Sequence, residues 1–303
     1  MDRLARLGAH LSAAPASAAA VFQDPVQGEV GLRAAELFGV SGKVCLVTGG
    51  TKGIGFMIAR GLVENGARVY IASRKAALCE SAAAELNAIG GSGSAVGLAA
   101  DLSTDEACAA LAAVIDAAEP GGLHVLVNNA GATWGAPYEE YPDAAWQKVM
   151  DLNVRAVFNL TKHCTPALAR AARAGDPARV INISSVDGCR AEQTNGPTAA
   201  FAYTVSKGAV NHLTHALCRA LSGQNITVNC IAPGLFPSNM TSFFLASPEG
   251  RDMARKSNPL GKFGKTADMA GVAVFLSSPA SAHVNGVIIP VDGGALLHDR
   301  GAA

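Results

Sequence analysis

Tyr203 and Lys207 stand four positions apart in the run Tyr203-Thr204-Val205-Ser206-Lys207. On a helix that spacing puts both side chains on one face, a single turn apart. A phenol ordinarily loses its proton near ~10, and a neighbouring ammonium favours the phenolate. The pair is therefore a candidate for proton exchange with a reacting oxygen near neutral pH. Phenol–ammonium pairs also occur on plain solvated helices, so the companions decide. Here they are a glycine-rich turn at 48–55, Asn153, the serines 184 and 185, and Pro233-Gly234.

The elements that must position these groups alternate regularly. The short apolar run 44–47 ends in Thr48-Gly49-Gly50 and reads as a buried strand entering a turn. A helix over about 54–65 follows, closed by Gly66, then a strand at 68–72, a helix at 75–89 and a strand at 94–99. Beyond these the pattern predicts a helix at 104–118, a strand at 125–127 and a largely helical 143–173. Strand 179–184, helix 202–222, strand 227–231 and a last apolar segment 286–291 complete it. Short apolar strands separated by long helices imply one α/β domain, a Rossmann-like doubly wound parallel sheet covered by helices on both faces.

Within that plan the turn Thr48-Gly49-Gly50-Thr51-Lys52-Gly53-Ile54-Gly55 joins the first strand to its helix. Glycines let the main chain approach a pyrophosphate, and the helix start offers free N–H groups and a positive dipole. The spacing is Gly-xxx-Gly-x-Gly, not the Gly-x-Gly-xx-Gly of many dinucleotide folds. At the end of the second strand an acid would hold the ribose hydroxyls of NAD. Instead the chain reads Ala72-Ser73-Arg74-Lys75. Arg74 and Lys52 are thus candidates to clamp a 2′-phosphate, which favours NADP(H).

In order, these motifs resemble the short-chain dehydrogenase/reductase family over about residues 41–297. The resemblance implies cofactor contacts at Thr48, Gly49, Thr51, Lys52, Gly53, Ile54, Gly55, Ser73 and Arg74. Asp101 and Leu102 stand where the family meets the adenine ring, and Asn129, Ala130 and Gly131 belong to its central-strand motif. Pro233 and Gly234 match the turn under the nicotinamide, followed by Phe236 and by Ser238 in place of the usual Thr. Asn153, Ser185, Tyr203 and Lys207 match the four catalytic positions. Tyr203 is then the general acid, Lys207 lowers its pKa and holds the nicotinamide ribose, Ser185 holds the carbonyl oxygen, and Asn153 anchors a water on the proton path. Ser184 competes for the serine role; Ser185 is preferred because Val186-Asp187-Gly188 follows it. Within the family the segments around 128–134, 151–154 and 185–188 look like the branch of 3-oxoacyl-(acyl carrier protein) reductases and rhamnolipid-type ketoreductases.

The reading is an NADP(H)-dependent reductase of a carbonyl substrate with an apolar portion, or the reverse alcohol dehydrogenase. Alternatives are another small apolar ketone or alcohol as substrate, or a non-catalytic NADP(H)-sensing protein. An epimerase or dehydratase would need a larger substrate domain. The segment 187–202, with the turn Thr194-Asn195-Gly196-Pro197, is an added loop at the active-site mouth. A cover over the cofactor is expected from 236 to 263, carrying Phe236, Pro237, Met240, Phe243, Phe244 and Leu245. It is either a mobile apolar lid or an amphipathic helix pair, and Trp134 and Tyr138 could line the same pocket.

Bulk properties exclude other classes. The 303 residues carry 24 basic and 24 acidic side chains, with no basic run, so nucleic acid is not an expected partner. No apolar stretch reaches the ~20 residues of a membrane span. Seven scattered cysteines without Cys-x-x-Cys point to a reducing compartment rather than a disulfide framework. His212, His215 and Cys218 share a helix face but have no carboxylate companion, so no metal is expected. Residues 1–40 are an N-terminal extension, either an organellar transit peptide or an unaddressed disordered arm, ahead of a single catalytic domain at 41–299. The cytoplasm or an organellar matrix or stroma is the expected location. By family analogy the long helices imply a homotetramer or homodimer.

Overall fold

The computed structural model describes residues 31–191, 194, 196–238, 241 and 246–298, without the side chains of 253 and 254. The extension before residue 31, Asn195, the lid candidates Met240, Phe243, Phe244 and Leu245, and residue 299 lie outside the described residues.

Short apolar runs bounded by glycines or polar turns form the strands: β1 (Val44–Thr48), β2 (Arg68–Ser73), β3 (Ser94–Ala99), β4 (Val125–Asn128), β5 (Ala178–Ile183), β6 (Ile226–Pro233) and β7 (Ile288–Val291). They pair in parallel in the order β3-β2-β1-β4-β5-β6-β7. The helices are α1 (Ala34–Leu37), α2 (Gly53–Glu64), α3 (Ala76–Asn87), α4 (Asp105–Ala118), α5 (Asp143–Met150), α6 (Ala156–Ala171), α7 (Phe201–Leu221), α8 (Pro248–Lys256) and α9 (Thr266–Ser277).

Successive side chains of a strand enter opposite cores, as the two-residue period requires. Cys45 and Val47 pack with Ile58 and Leu62 of α2 and Met269 and Leu276 of α9. Leu46 instead joins Leu111 and Ile115 of α4 and Leu160 and Leu168 of α6. The sheet is thus covered on both faces, the doubly wound arrangement that the alternating pattern predicts. The strand order reverses between β1 and β4, and there the carboxyl ends of the strands open a crevice.

The stretch 143–173 is largely helical, as expected, with a π turn, Asp151–Arg155, between α5 and α6. In addition, α9 carries no amphipathic stripe in Thr-Ala-Asp-Met-Ala-Gly-Val-Ala-Val-Phe-Leu-Ser, so periodicity did not announce it. Its start is marked by the Lys265 N–H donating to Asp268 Oδ2 at 2.8 Å. It packs so closely on α2 that a Cβ at Gly61 would come within 2.5 Å of the Ala270 Cβ. Upstream, Val40 is buried and the Phe38 ring lies 6.4 Å from that of Phe275, so core contacts begin before Ser41.

Candidate active site

The crevice is braced first. Thr48 ends β1 with its side chain buried; its Oγ1 accepts the main-chain N–H groups of Asn129 (2.9 Å) and Ala130 (3.0 Å). Asn129 Nδ2 returns a hydrogen bond to Thr48 O at 2.8 Å and reaches Gly49 O at 3.2 Å. The side chains of Thr48 and Asn129 therefore hold the two lips together: the Thr48 hydroxyl also donates to Val127 O at 3.3 Å, while both Asn129 bonds use Nδ2. Leu102, equally buried, lies in the core with Leu111 and Ile115, so its side chain is committed too.

Above the brace, Gly49 and Gly53 take φ of 64° and 56°, a region where side chains are strained. A Cβ on Gly55 would collide with Asn129 Nδ2 and Gly49 O. α2 begins at Gly53 with no side-chain cap, so Ile54 and its neighbours present uncapped N–H groups at the crevice. This cradle of bare main chain fits a pyrophosphate. Ser238 comes to it from the far side: a Cβ on Gly53 would lie 3.3 Å from the Ser238 Cβ. Ser73 ends β2, and Arg74 after it is exposed, as is Lys52 beside the cradle. Asp101, exposed past β3, accepts the Ser103 N–H at 3.2 Å. Across the crevice the Gly234 N–H following β6 donates to Val291 O at 3.0 Å, fixing the Pro233-Gly234 turn against β7.

The four chemistry-bearing side chains meet at the carboxyl ends of β4 and β5. Asn153 sits buried in the π turn, a geometry frequent at functional sites. Its Oδ1 accepts from Ala132 N (2.8 Å), and its Nδ2 donates to Ala132 O (2.9 Å) and Ser206 Oγ (2.9 Å). Ser206 Oγ donates in turn to Tyr203 O at 2.7 Å, tying the π turn to α7. Gly131 leaves the gap through which Asn153 and Lys207 approach: a Cβ there would lie 3.2 Å from Asn153 Oδ1 and 3.8 Å from Lys207 Nζ. Lys207, buried one turn after Tyr203, donates from Nζ to Ile183 O at 2.7 Å and lies 5.6 Å from the Tyr203 ring centroid.

The two serines divide cleanly. Ser184 Oγ donates to Lys207 O at 2.9 Å, holding β5 to α7. Ser185 Oγ is within hydrogen-bond reach of both the Tyr203 phenol and Asp187 Oδ2 (3.3 Å), and its single proton serves one of them at a time.

Electrostatics differ from the simple pair picture. Burial pushes the Tyr203 phenol up to about 12, with Ser185 lowering it and the Asp187 carboxylate raising it further. Burial also pushes the Lys207 ammonium down to about 8. The expectation that Lys207 draws the phenol toward neutrality is thus not met. Desolvation of the half-buried phenol and the buried ammonium outweighs their attraction, and the ammonium donates a hydrogen bond to Ile183 O.

At the mouth, the segment before α7 lies along Gly135–Glu139 residues of the facing loop, with Ala136 N donating to Ala199 O at 3.1 Å. Pro137, Tyr138, Glu139, Thr194, Gly196, Pro197 and Ala199 line a cavity of about 430 Å³. Tyr138 packs edge-on against Phe201, while Lys148 Nζ stands 5.0 Å from the centre of the Trp134 ring. Phe236 corrects the lid expectation: it is buried in the core, and a Cβ on Gly264 would collide with its ring. Only its main chain is available to a ligand, and its carbonyl accepts from Thr241 Oγ1 at 2.6 Å.

Sequence reasoning passed over three residues that organise this site. Ser206 is signalled only by lying between Tyr203 and Lys207. Tyr141 accepts the Ala202 N–H at 3.1 Å and donates to Trp134 O at 3.1 Å, so it caps α7 from a distant loop with no local pattern. Asp187 enters the sequence reading only through the Val186-Asp187-Gly188 run and the loop that begins with it.

Residues 49–296 match the family described as enoyl-(acyl carrier protein) reductase. The chain belongs to the short-chain dehydrogenase/reductase family. It is 43% identical over 257 residues to the rhamnolipids biosynthesis 3-oxoacyl-[acyl-carrier-protein] reductase of Pseudomonas aeruginosa, covering 85% of this chain and 97% of that one. It is 36% identical to the galactitol 2-dehydrogenase (L-tagatose-forming) of Cereibacter sphaeroides, over 85% of this chain and 96% of the relative. Among solved structures it is similar to the Pseudomonas aeruginosa RhlG/NADP active-site complex, with TM-score 0.80, 43% identity, and coverage of 86% and 98%. The relatives named here are oxidoreductases, and the described residues contain no helix long and apolar enough to cross a membrane.

Proposed function

We propose that this protein is an NADP(H)-dependent carbonyl reductase acting on a 3-oxoacyl thioester. The observation that carries the reading is the convergence of Asn153, Ser185, Tyr203 and Lys207 beside a bare glycine cradle at the strand-order reversal. Bound NADPH supplies the hydride to the carbonyl carbon. Tyr203, kept protonated at neutral pH by burial, gives its proton to the carbonyl oxygen, so the product is a secondary alcohol. Ser185 donates a hydrogen bond to the same oxygen while charge develops on it. Lys207 holds the nicotinamide ribose, and Asn153 fixes the loop at Ala132 and the proton path behind Lys207. Lys52 and Arg74, with no acid at the end of β2, favour the 2′-phosphate of NADP(H).

The 3-oxoacyl substrate is supported by the relative named for that reaction and by the aromatic rim of Trp134 and Tyr138. The test is a panel of a short 3-oxoacyl thioester, simple ketones, quinones and ketoses, each with NADPH and NADH in parallel. Turnover of the thioester with NADPH is expected. Turnover of the other carbonyls without the thioester would remove the substrate assignment, and NADH preference would remove the roles of Arg74 and Lys52. A sensing protein that only binds NADP(H) would show binding and no turnover with any member.

The same reading includes a homodimer or homotetramer built on α6 and α7, which expose Phe158 and Val205. It also places the protein in a reducing compartment, in keeping with the free thiols of all seven cysteines. Light scattering of the purified chain tests the assembly.

A further inference from the structure

The segment that follows β4 is pinned to the site at three places. Asn153 holds Ala132 through both its N–H and its carbonyl. Ala136 N donates to Ala199 O at 3.1 Å, and beside it a Cβ on Gly135 would lie 3.0 Å from Thr198 O, so the two strips of main chain run in contact. The third place is Tyr141, which ends the 3-10 turn Tyr138–Glu140. Its hydroxyl accepts the Ala202 N–H at 3.1 Å and donates to Trp134 O at 3.1 Å, a single proton given once. Its ring stands edge-on to Phe201 at 5.5 Å and to Trp146 at 6.1 Å. A helix leaves the N–H groups of its first turn without partners inside itself. The residue before α7 is Ala200, which has no side-chain acceptor to offer them. Tyr141 supplies one from 61 positions away, at the residue directly before Tyr203.

We propose that Tyr141 is a positioning residue for proton transfer: its hydroxyl registers the first turn of α7, and with it the Tyr203 phenol, against the rim at Trp134. The inference rests on the reading above that Tyr203 gives its proton to the carbonyl oxygen. Other bonds anchor α7 further along, from Lys207 to Ile183 O, from Ser184 to Lys207 O and from Asn153 to Ser206. Tyr141 anchors it ahead of Tyr203. A proton donor must lie within hydrogen-bond reach of the oxygen it protonates, and a misplacement of ~1 Å caused away from the chemistry can cost about a hundredfold in rate. Phe at position 141 keeps both ring contacts and deletes both hydrogen bonds. Tyr70 is the matched control, since its hydroxyl also accepts one bond, from Arg68, and donates one, to Glu119. Those bonds lie beside the amino end of β2, away from the carboxyl ends where the site is built.

The assay uses whichever carbonyl of the panel above turns over fastest with NADPH, so a failed thioester assignment leaves it standing. Wild type, Y141F and Y70F are compared for kcat, KM, the solvent deuterium isotope effect on kcat, and the stoichiometry of NADPH binding by fluorescence. In Y141F kcat should fall roughly ten- to hundredfold while KM stays within about threefold. The isotope effect should rise, because proton transfer becomes the slow step, and NADPH stoichiometry should hold. A merely weakened fold would lose stoichiometry and leave the isotope effect where it was. Y70F should match the wild type in kcat and isotope effect. Hydrogen exchange of amides 201–204, followed without substrate, should quicken in Y141F and not in Y70F. Y141M is measured in parallel, so that poor folding of Y141F leaves the comparison intact. An unchanged kcat in Y141F overturns the proposal even if those amides exchange faster, because the hydroxyl is then a helix cap and nothing more. An unchanged isotope effect, or an equal loss of kcat in Y70F, overturns it too. No turnover of any carbonyl by the wild type faults the proposed reaction and takes this role with it, whereas an active wild type with an indifferent Y141F faults Tyr141 alone.

Discussion

Replacing Lys207 by Met isolates what the buried ammonium costs the fold. A lysine that titrates at about 8 when folded and at 10.5 when unfolded holds its proton less tightly in the native state. The native state thus carries a penalty while the group is charged in both states, and that penalty amounts to about 3 kcal/mol. Between pH 8 and 10.5 the unfolded chain binds the extra proton, so stability must rise with pH across that window. From pH 7 to 9.5 the two titrations release about 2 kcal/mol of it. K207M has no such proton. It also loses the hydrogen bond to Ile183 O, but that loss does not depend on pH and cancels when each variant is compared with itself. The assay is urea unfolding of wild type and K207M at pH 7 and 9.5, read as midpoints and slopes. The wild type should gain about 2 kcal/mol on K207M between the two pH values. Tyr203 adds the opposite sign only later, since its raised pKa makes stability fall between about 10 and 12, outside the interval. Curves that stay parallel from pH 7 to 9.5 would refute the assignment of Lys207 as a desolvated cation.

Tyr203→Phe removes the proton donor and leaves the cradle intact, so turnover should fall by roughly 10²–10⁴-fold while NADPH fluorescence titrations stay within a few-fold of wild type. Arg74→Glu places an anion where a 2′-phosphate is expected, and the ratio of kcat/KM for NADPH over NADH should drop by at least about tenfold, which a charge-assisted hydrogen bond of ~1.5–3 kcal/mol supports. Asn153→Ala deletes three hydrogen bonds, two part-buried to Ala132 and one buried to Ser206, and should lower stability by about 2–4 kcal/mol in denaturant unfolding. Gly264→Ala drives a methyl into the Phe236 ring; overpacking should cost about 1–3 kcal/mol, seen as a lower melting temperature.

The order of strands and helices was legible because parallel strands buried on both faces must be short, apolar and stopped by turn residues. Val44–Thr48 and Val125–Asn128 follow that rule. The helix α9 was not legible, because its small and apolar residues run round the whole helix and leave no polar face to set a period. The site was readable where chemistry demands a residue type at a fixed spacing, as with Tyr203 and Lys207, or where a glycine must stand, as at 49, 53 and 55. What could not be read were contacts made in three dimensions. Tyr141 reaches Ala202 across 61 positions, and Asn153 owes its aim to a π turn that leaves no mark in residue type. Phe236, an aromatic after a Pro-Gly turn, reads as a lid residue until Gly264 is seen to make room for it in the core. The direction of the Tyr203 and Lys207 pKa values likewise depends on how far each is withdrawn from water, which spacing does not report.

The brace formed by Thr48 and Asn129 bears on how such a protein can change. Thr48 holds two main-chain N–H groups of the facing strand end, and Asn129 occupies the space that any Cβ on Gly49 or Gly55 would need. None of the four can be exchanged alone, since each fills the place that another leaves open. Arg74 and Lys52 are outside this lock, exposed at the rim. Mutation can therefore alter which dinucleotide is preferred without touching how it is cradled. Preference is the part of this crevice free to drift, and the cradle must be inherited whole.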